Sequence, residues 1–167
     1  MPATYEPIAT TTLGSSASSI AFSSITSAYT DLRLVITSLA SAGTIGGYIR
    51  FNSDSGTNYS YTRLTGNGTA ASTTRVSAFN QLNTAFSGNA TTTIPMLQTV
   101  DVFSYAGSTN KTALVTSQSD QNGSGAVERS CGLWRNTAAI TRIDIFPNSA
   151  NNFATGTTAT LYGILKA

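Results

Sequence analysis

The stretch Asp31-Leu32-Arg33-Leu34-Val35-Ile36-Thr37 alternates along its length. Successive side chains of an extended strand point to opposite faces, so Leu32, Leu34 and Ile36 share one face of the pleat. A helical period would scatter them, and the alternation selects a half-buried β-strand whose Leu32 face belongs to a core. Working outward, Tyr48–Asn52 repeats the pattern with Ile49 and Phe51 inward, and the Ser53–Asn58 stretch behind it is dense in turn formers. Ile140–Phe146 aligns Ile143 with Ile145 before Pro147 stops it. Thr157–Leu165 places Ala159, Leu161, Gly163 and Leu165 on one side.

The remaining segments extend the same reading. Leu97–Tyr105 and Lys111–Ser117 flank the turn formers Ala106–Asn110 as a hairpin. Asp120–Gly125 contains Asn122-Gly123, a dipeptide that accepts the positive backbone angles of tight hairpins, and Ala126–Trp134 leaves it as a strand. Tyr59–Leu64 puts Tyr59, Tyr61 and Arg63 on one face and Ser60, Thr62 and Leu64 on the other, and pattern alone does not decide which is buried. Arg75–Phe79 is a further strand. Asn80–Thr93 mixes small polar residues with Leu82 and Phe86 and reads as a long loop inside an irregular middle, residues 69–93, with at most a short helix near Ala78–Ala85. About ten strands at intervals of roughly 10–15 residues indicate an all-β fold, an antiparallel β-sandwich of jelly-roll-like form.

Composition narrows the chemistry. The 167 residues include no histidine, one cysteine and 10% charged residues, for a net charge of +2. A chain of this length buries roughly two-thirds of its unfolded surface and needs no disulfide or metal to hold a core. Cys131 has no partner for an intramolecular disulfide and reads as a buried or half-buried thiol. Lysine is confined to Lys111 and Lys166 and no basic run occurs, which argues against nucleic acid and membrane as partners. No stretch approaches the ~20 apolar residues of a membrane span, and Met1–Leu13 lacks a signal-peptide pattern, so synthesis in a cytoplasm is expected.

No catalytic signature emerges. A serine nucleophile lacks a histidine base, and Gly123-Ser124-Gly125 is a turn rather than a nucleophile elbow. The seven acidic residues form no hydrolytic pair by sequence; Asp54 and Asp120 open turns and Asp101 sits in a strand. Zinc lacks ligands. Calcium has only Asp54–Asn58 and Asp120–Asn122 to draw on, both better read as turns. The expectation is a protein that is not an enzyme and holds no metal or cofactor. Asn-x-Ser/Thr triplets such as Asn58-Tyr59-Ser60 are those expected by chance in so Asn-, Ser- and Thr-rich a chain.

Two groups of residues are candidates for binding. Residues 1–12, with Pro2, Pro7 and Thr10-Thr11-Thr12, read as an extended N-terminal arm in front of a single β-sandwich domain, 13–167. Tyr5 and Ile8 are its sizeable apolar groups and the expected anchor on a neighbouring subunit. Tyr59, Tyr61, Trp134 and Asn136 are candidates for stacking on and hydrogen-bonding to a glycan, with Trp134 as a core or edge anchor the competing reading.

Four runs carry a family resemblance: Ala28–Val35, Ile49–Ser60, Gly132–Thr141 and Asn152–Ile164. They resemble small virion structural proteins of tailed bacteriophages, of marine and cyanobacterial type, with the likeness covering nearly the whole chain except about 69–93. The resemblance implies location in the virion, other virion proteins as partners (the major capsid protein or tail proteins) and a homo-oligomer, with a trimer favoured. A capsid decoration, or cement, protein on the outside of the head shell is the leading role it implies. A tail-fibre or knob module binding a host surface receptor or glycan is the alternative.

Overall fold

The computed structural model describes residues 4–165, and residues 1–3 of the expected arm, with Lys166, lie outside them. Twelve strands occur among the described residues: β1 (Tyr5–Thr12), β2 (Ile20–Phe22), β3 (Asp31–Ser38), β4 (Ile45–Phe51), β5 (Tyr59–Gly66), β6 (Ala71–Phe79), β7 (Leu82–Ala90), β8 (Met96–Phe103), β9 (Lys111–Asp120), β10 (Gly125–Trp134), β11 (Ile143–Pro147) and β12 (Thr158–Ile164). They form two antiparallel sheets, one of eight strands in the order β1-β12-β3-β8-β9-β10-β5-β6 and one of four in the order β2-β11-β4-β7. The fold is a β-sandwich, as the alternation requires. Its division into eight and four strands contrasts with the jelly roll's eight in all.

The core lies between the sheets. Leu32, Leu34 and Ile36 of β3 are buried, as are Val100 and Val102 of β8, Val115 of β9 and Leu161 of β12. Ile20, Phe22, Ile45, Ile49, Phe51, Ile143 and Ile145 come from the small sheet. The β9–β10 hairpin closes through Gln121–Ser124, with Asn122 at φ 54° and Gly123 at φ 112° and the Gln121 N–H donating to the Ser124 carbonyl at 2.9 Å. Two successive positive angles define the turn whose twist matches flanking strands, so Asn-Gly acts here as its sequence predicts.

Two expectations need correction, and one strand goes unforeseen. Residues 5–12 do not project as an arm, because β1 pairs with β12 from Tyr5↔Ile164 to Thr12↔Thr158 and closes one edge of the large sheet. The proline at position 7 marks an edge strand and a bulge between Pro7 and Ala9. The stretch expected as loop or short helix contains β7 and the end of β6, with Ala78 at φ 55° where β6 bulges. Chain crossing from the large sheet to the small one takes only Asn80 and Gln81, and Arg50 fastens that crossing through the Asn80 carbonyl (3.2 Å) and Gln81 Oε1 (3.0 Å). Finally, the three-residue β2 is too short for any period to reveal.

A four-stranded sheet cannot cover an eight-stranded one, and the interior records this. One inward row reads Leu34, Val100, Val115, Ser130, Arg63, Thr74 from β3 across to β6; the next reads Ile36, Gln98, Ser117, Glu128, Thr65, Ser72. Each passes from aliphatic to polar and ends in open solvent. Strand β6 therefore overhangs, exposed along nearly all of both faces.

Candidate functional site

On β5 and β10 the polarity of the strands is inverted. Arg63 and Glu128 point inward and are 6% and 2% exposed, while Leu64 and Val127 point outward at 54% and 61%. The continuity of the sheet forces this: Tyr59, Tyr61 and Trp134 are buried on the same inward face, and slipping either strand by one residue would expel them. An apolar pair stands on the open face as a result.

Of the inward charges, the Glu128 carboxylate is the better satisfied. The Glu128 carboxylate accepts from Thr65 Oγ1 (3.1 Å), Ser117 Oγ (3.1 Å), the Phe86 N–H (2.7 Å) and the Ser87 N–H (3.1 Å). Arg63 Nε lies 3.5 Å from Glu128 Oε1, a charge contact without hydrogen-bond alignment, and its guanidinium sits over the Phe86 ring at 4.5 Å. Glu128 thus crosses from the large sheet to hold the backbone of β7. This is a structural tie between the layers rather than a cleft open to substrate.

The outward face is broad, and most of its charge is neutralised or sparse. Arg33 and Asp101 form a two-pronged pair at 2.5 and 2.9 Å across β3 and β8. Leu97 and Phe103 on β8, Leu64 on β5 and Val127 on β10 are its exposed apolar side chains, and Leu64, Gly66, Ala71 and Val127 line a shallow groove of about 260 Å³ beside Arg129. A wider depression of about 470 Å³ runs over Ser60, Thr62, Arg75, Thr112 and Leu133 and includes Cys131. Cys131 is exposed, contrary to the expectation of burial, because it occupies the outward register of β10.

No protein-family model, curated protein or solved structure matches this chain.

The residues singled out from sequence now fall into place. Tyr59 and Tyr61 are 0% and 8% exposed and Trp134 is 1% exposed, so the expected glycan patch does not exist as a surface. Trp134 stacks on Tyr59 at 6.3 Å and 18°, tilts against Phe51 at 5.5 Å and donates Nε1–H to Asp54 Oδ2 at 2.7 Å. The Tyr59 hydroxyl accepts from the Phe51 N–H at 2.9 Å, and burial pushes its pKa up. Asn136 is half-buried and accepts from the Ala138 N–H at 2.9 Å, a turn contact. Asp54 also accepts from the Gly56 N–H (2.8 Å) and Asn58 Nδ2 (2.9 Å), and Asp120 caps its own turn through the Asn122 N–H (2.8 Å). Both aspartates behave as turn residues.

Of the anchor pair, Ile8 packs against the core and is withdrawn as a contact, whereas Tyr5 is 45% exposed on the outward face with the Arg33 guanidinium 5.5 Å from its ring. Lys111, noted in sequence only for its rarity, is wholly buried. Its ammonium donates to the carbonyls of Gly107 (2.7 Å), Thr109 (2.5 Å) and Thr137 (3.2 Å), tying the β8–β9 turn to the segment after β10. Burial pushes its pKa down from the ordinary lysine value.

Proposed function

We propose that this chain is a structural protein of a tailed-bacteriophage particle, a decoration protein bound to the outside of the head shell. The observation that carries the reading is the inverted pattern on β5 and β10, which keeps charge inside and presents Leu64 and Val127 on a broad open face. Exposed apolar groups grouped on a wide surface with sparse charge suit docking on a large partner, and such a partner is what the resemblance to virion proteins implies. The contact would be by surface complementarity, with Tyr5, Phe103 and Leu97 on the same face available to extend it.

The experiment is the copy number of this chain relative to the major capsid protein in purified virions, by quantitative mass spectrometry. Hundreds of copies per particle are expected; a few dozen or fewer would move the protein to the tail or a vertex and overturn the decoration role. A second measurement addresses the face itself. The double substitution Leu64→Glu with Val127→Glu is expected to leave the thermal midpoint nearly unchanged, since both side chains already face water. Occupancy on particles should fall about tenfold or more, as expected when apolar anchors are charged. Wild-type occupancy would remove this face from the interaction.

A further inference from the structure

A sandwich of open sheets has four strand edges, and three of them here are blunted. Strand β1 carries Pro7, Glu6 and a bulge. Strand β2 is three residues long. Strand β7 has its Phe86 and Ser87 N–H groups taken by Glu128 and its Asn89 carbonyl taken by Gln121 Nε2 at 2.9 Å. Strand β6 has no proline and no occupied edge groups, and its bulge lies only at its far end, at Ala78. Ala71–Phe79 runs nine residues without proline or lysine, carries one charge, Arg75, and pairs only with β5.

The geometry of β6 defines what its free edge offers. Asn67 donates to the Ala70 carbonyl at 3.2 Å, so that pair is hydrogen-bonded and the alternation of an antiparallel ladder follows from it. Residues 72, 74 and 76 direct their N–H and C=O groups toward β5; Ala71, Thr73 and Arg75 direct theirs away from it. The chain offers no second unguarded edge of comparable length among the described residues. An edge-to-edge contact between copies therefore matches β6 with β6, which is isologous and closes at two subunits instead of propagating as a filament.

We infer that β6 pairs antiparallel with β6 of a second copy of this chain about a two-fold axis at Thr74. The register follows from two facts. The regular part of the strand runs from Ala71 to the bulge at Ala78, and its midpoint is Thr74, so centring there pairs the whole of it. In that register Thr73 faces Arg75, whereas a shift of one step toward the bulge would set Arg75 against Arg75 and is opposed by charge. The pairing joins two eight-stranded sheets into one and brings the two Leu64–Val127 grooves, which adjoin β6, onto a common face. It is held by main-chain hydrogen bonds over a small area, as in strand addition, so the association is weak and concentration-dependent. It stands independently of the proposed location on a phage head.

The test is the mass of the full chain in solution by sedimentation over a dilution series from about 1 to about 500 μM, a range set by the weak end of protein interfaces. A shift from one to two chain masses is expected. Thr73→Pro removes a free-edge N–H without touching the β5 ladder and should hold the protein at one mass throughout with an unchanged far-UV spectrum. A second test, independent of whether the proline variant folds, uses Thr74→Cys in a Cys131→Ser background: oxidation should yield a covalent dimer, while Thr37→Cys in the same background, exposed on the same sheet far from β6, should not. A single chain mass at every concentration, a trimer, or equal cross-linking of the two cysteine variants would overturn the inference.

Discussion

Glu128→Ala is expected to destabilise the protein by about 3–5 kcal/mol, the range for breaking a buried ion pair from one side. The substitution leaves the Arg63 guanidinium, itself 6% exposed, without its counter-charge. It also removes the acceptor of two hydroxyls and two backbone N–H groups in one step. Each donor so orphaned in a buried setting adds its own desolvation cost. Glu128→Gln keeps the volume and one acceptor oxygen but turns an amide toward donors, so it should fall short of alanine while remaining clearly destabilising. Replacing both charges, as Arg63→Met with Glu128→Leu, should cost less than the sum of the single changes, since no charge is then left buried alone. Equilibrium denaturation in urea measures these proteins together with wild type and the Arg63→Met and Glu128→Leu single variants. Hydrogen exchange adds the local signature: the Phe86 and Ser87 amides should lose protection first in Glu128→Gln. A Glu128→Ala variant within about 1 kcal/mol of wild type, the net worth of one ordinary hydrogen bond, would show that β7 is held by its pairing with β4 instead.

The same residues explain what the sequence revealed and what it concealed. Leu32, Leu34 and Ile36 were legible because β3 lies in the middle of the large sheet, where one face is covered by aliphatic side chains and the other meets water. Asn122-Gly123 was legible because its backbone conformation is local. Strand β7 was not, since its inward groups include Asn83 and Thr84, which face a polar stretch of the interior: the Thr84 hydroxyl meets Gln98 Oε1 at 2.5 Å. A strand buried against polar partners has the composition of a loop. On β5 and β10, register is imposed by Tyr59, Tyr61 and Trp134 and by the neighbours Val115 and Ala113, so hydrophobic pattern taken alone points the wrong way at Leu64 and Val127. The aromatic residues offered as a surface patch were legible as a cluster and misread as to side. The free edge of β6 carries no sequence mark at all, because what defines it is the absence of a neighbour set by topology.

Trp134→Ala should cost about 3–5 kcal/mol, the usual range for truncating a large buried aromatic. The indole is the largest of the fully buried side chains and fills the space between Phe51 and Tyr59. Trp134→Phe separates packing from hydrogen bonding, for it retains an aromatic ring and deletes the N–H that Asp54 accepts. The acid response then reports the bond. Partial burial raises the Asp54 carboxyl pKa, but hydrogen bonds from Trp134, Asn58 and Gly56, helped by the Arg50 charge, outweigh it and hold the value below that of an ordinary aspartate. A carboxyl with a depressed folded-state pKa contributes stability that is present above its unfolded value and is lost as the pH falls through the folded one. Wild-type stability should therefore decline on acidification across that window, and in Trp134→Phe the decline assignable to Asp54 should be shallower because the pKa gap has narrowed. Denaturation followed by circular dichroism serves both proteins; in the wild type the single tryptophan adds a fluorescence red-shift as the ring leaves the core. Equal acid slopes in the two proteins, with Trp134→Phe less stable by the same amount at every pH, would assign the whole cost to packing and leave the Trp134–Asp54 bond without energetic weight.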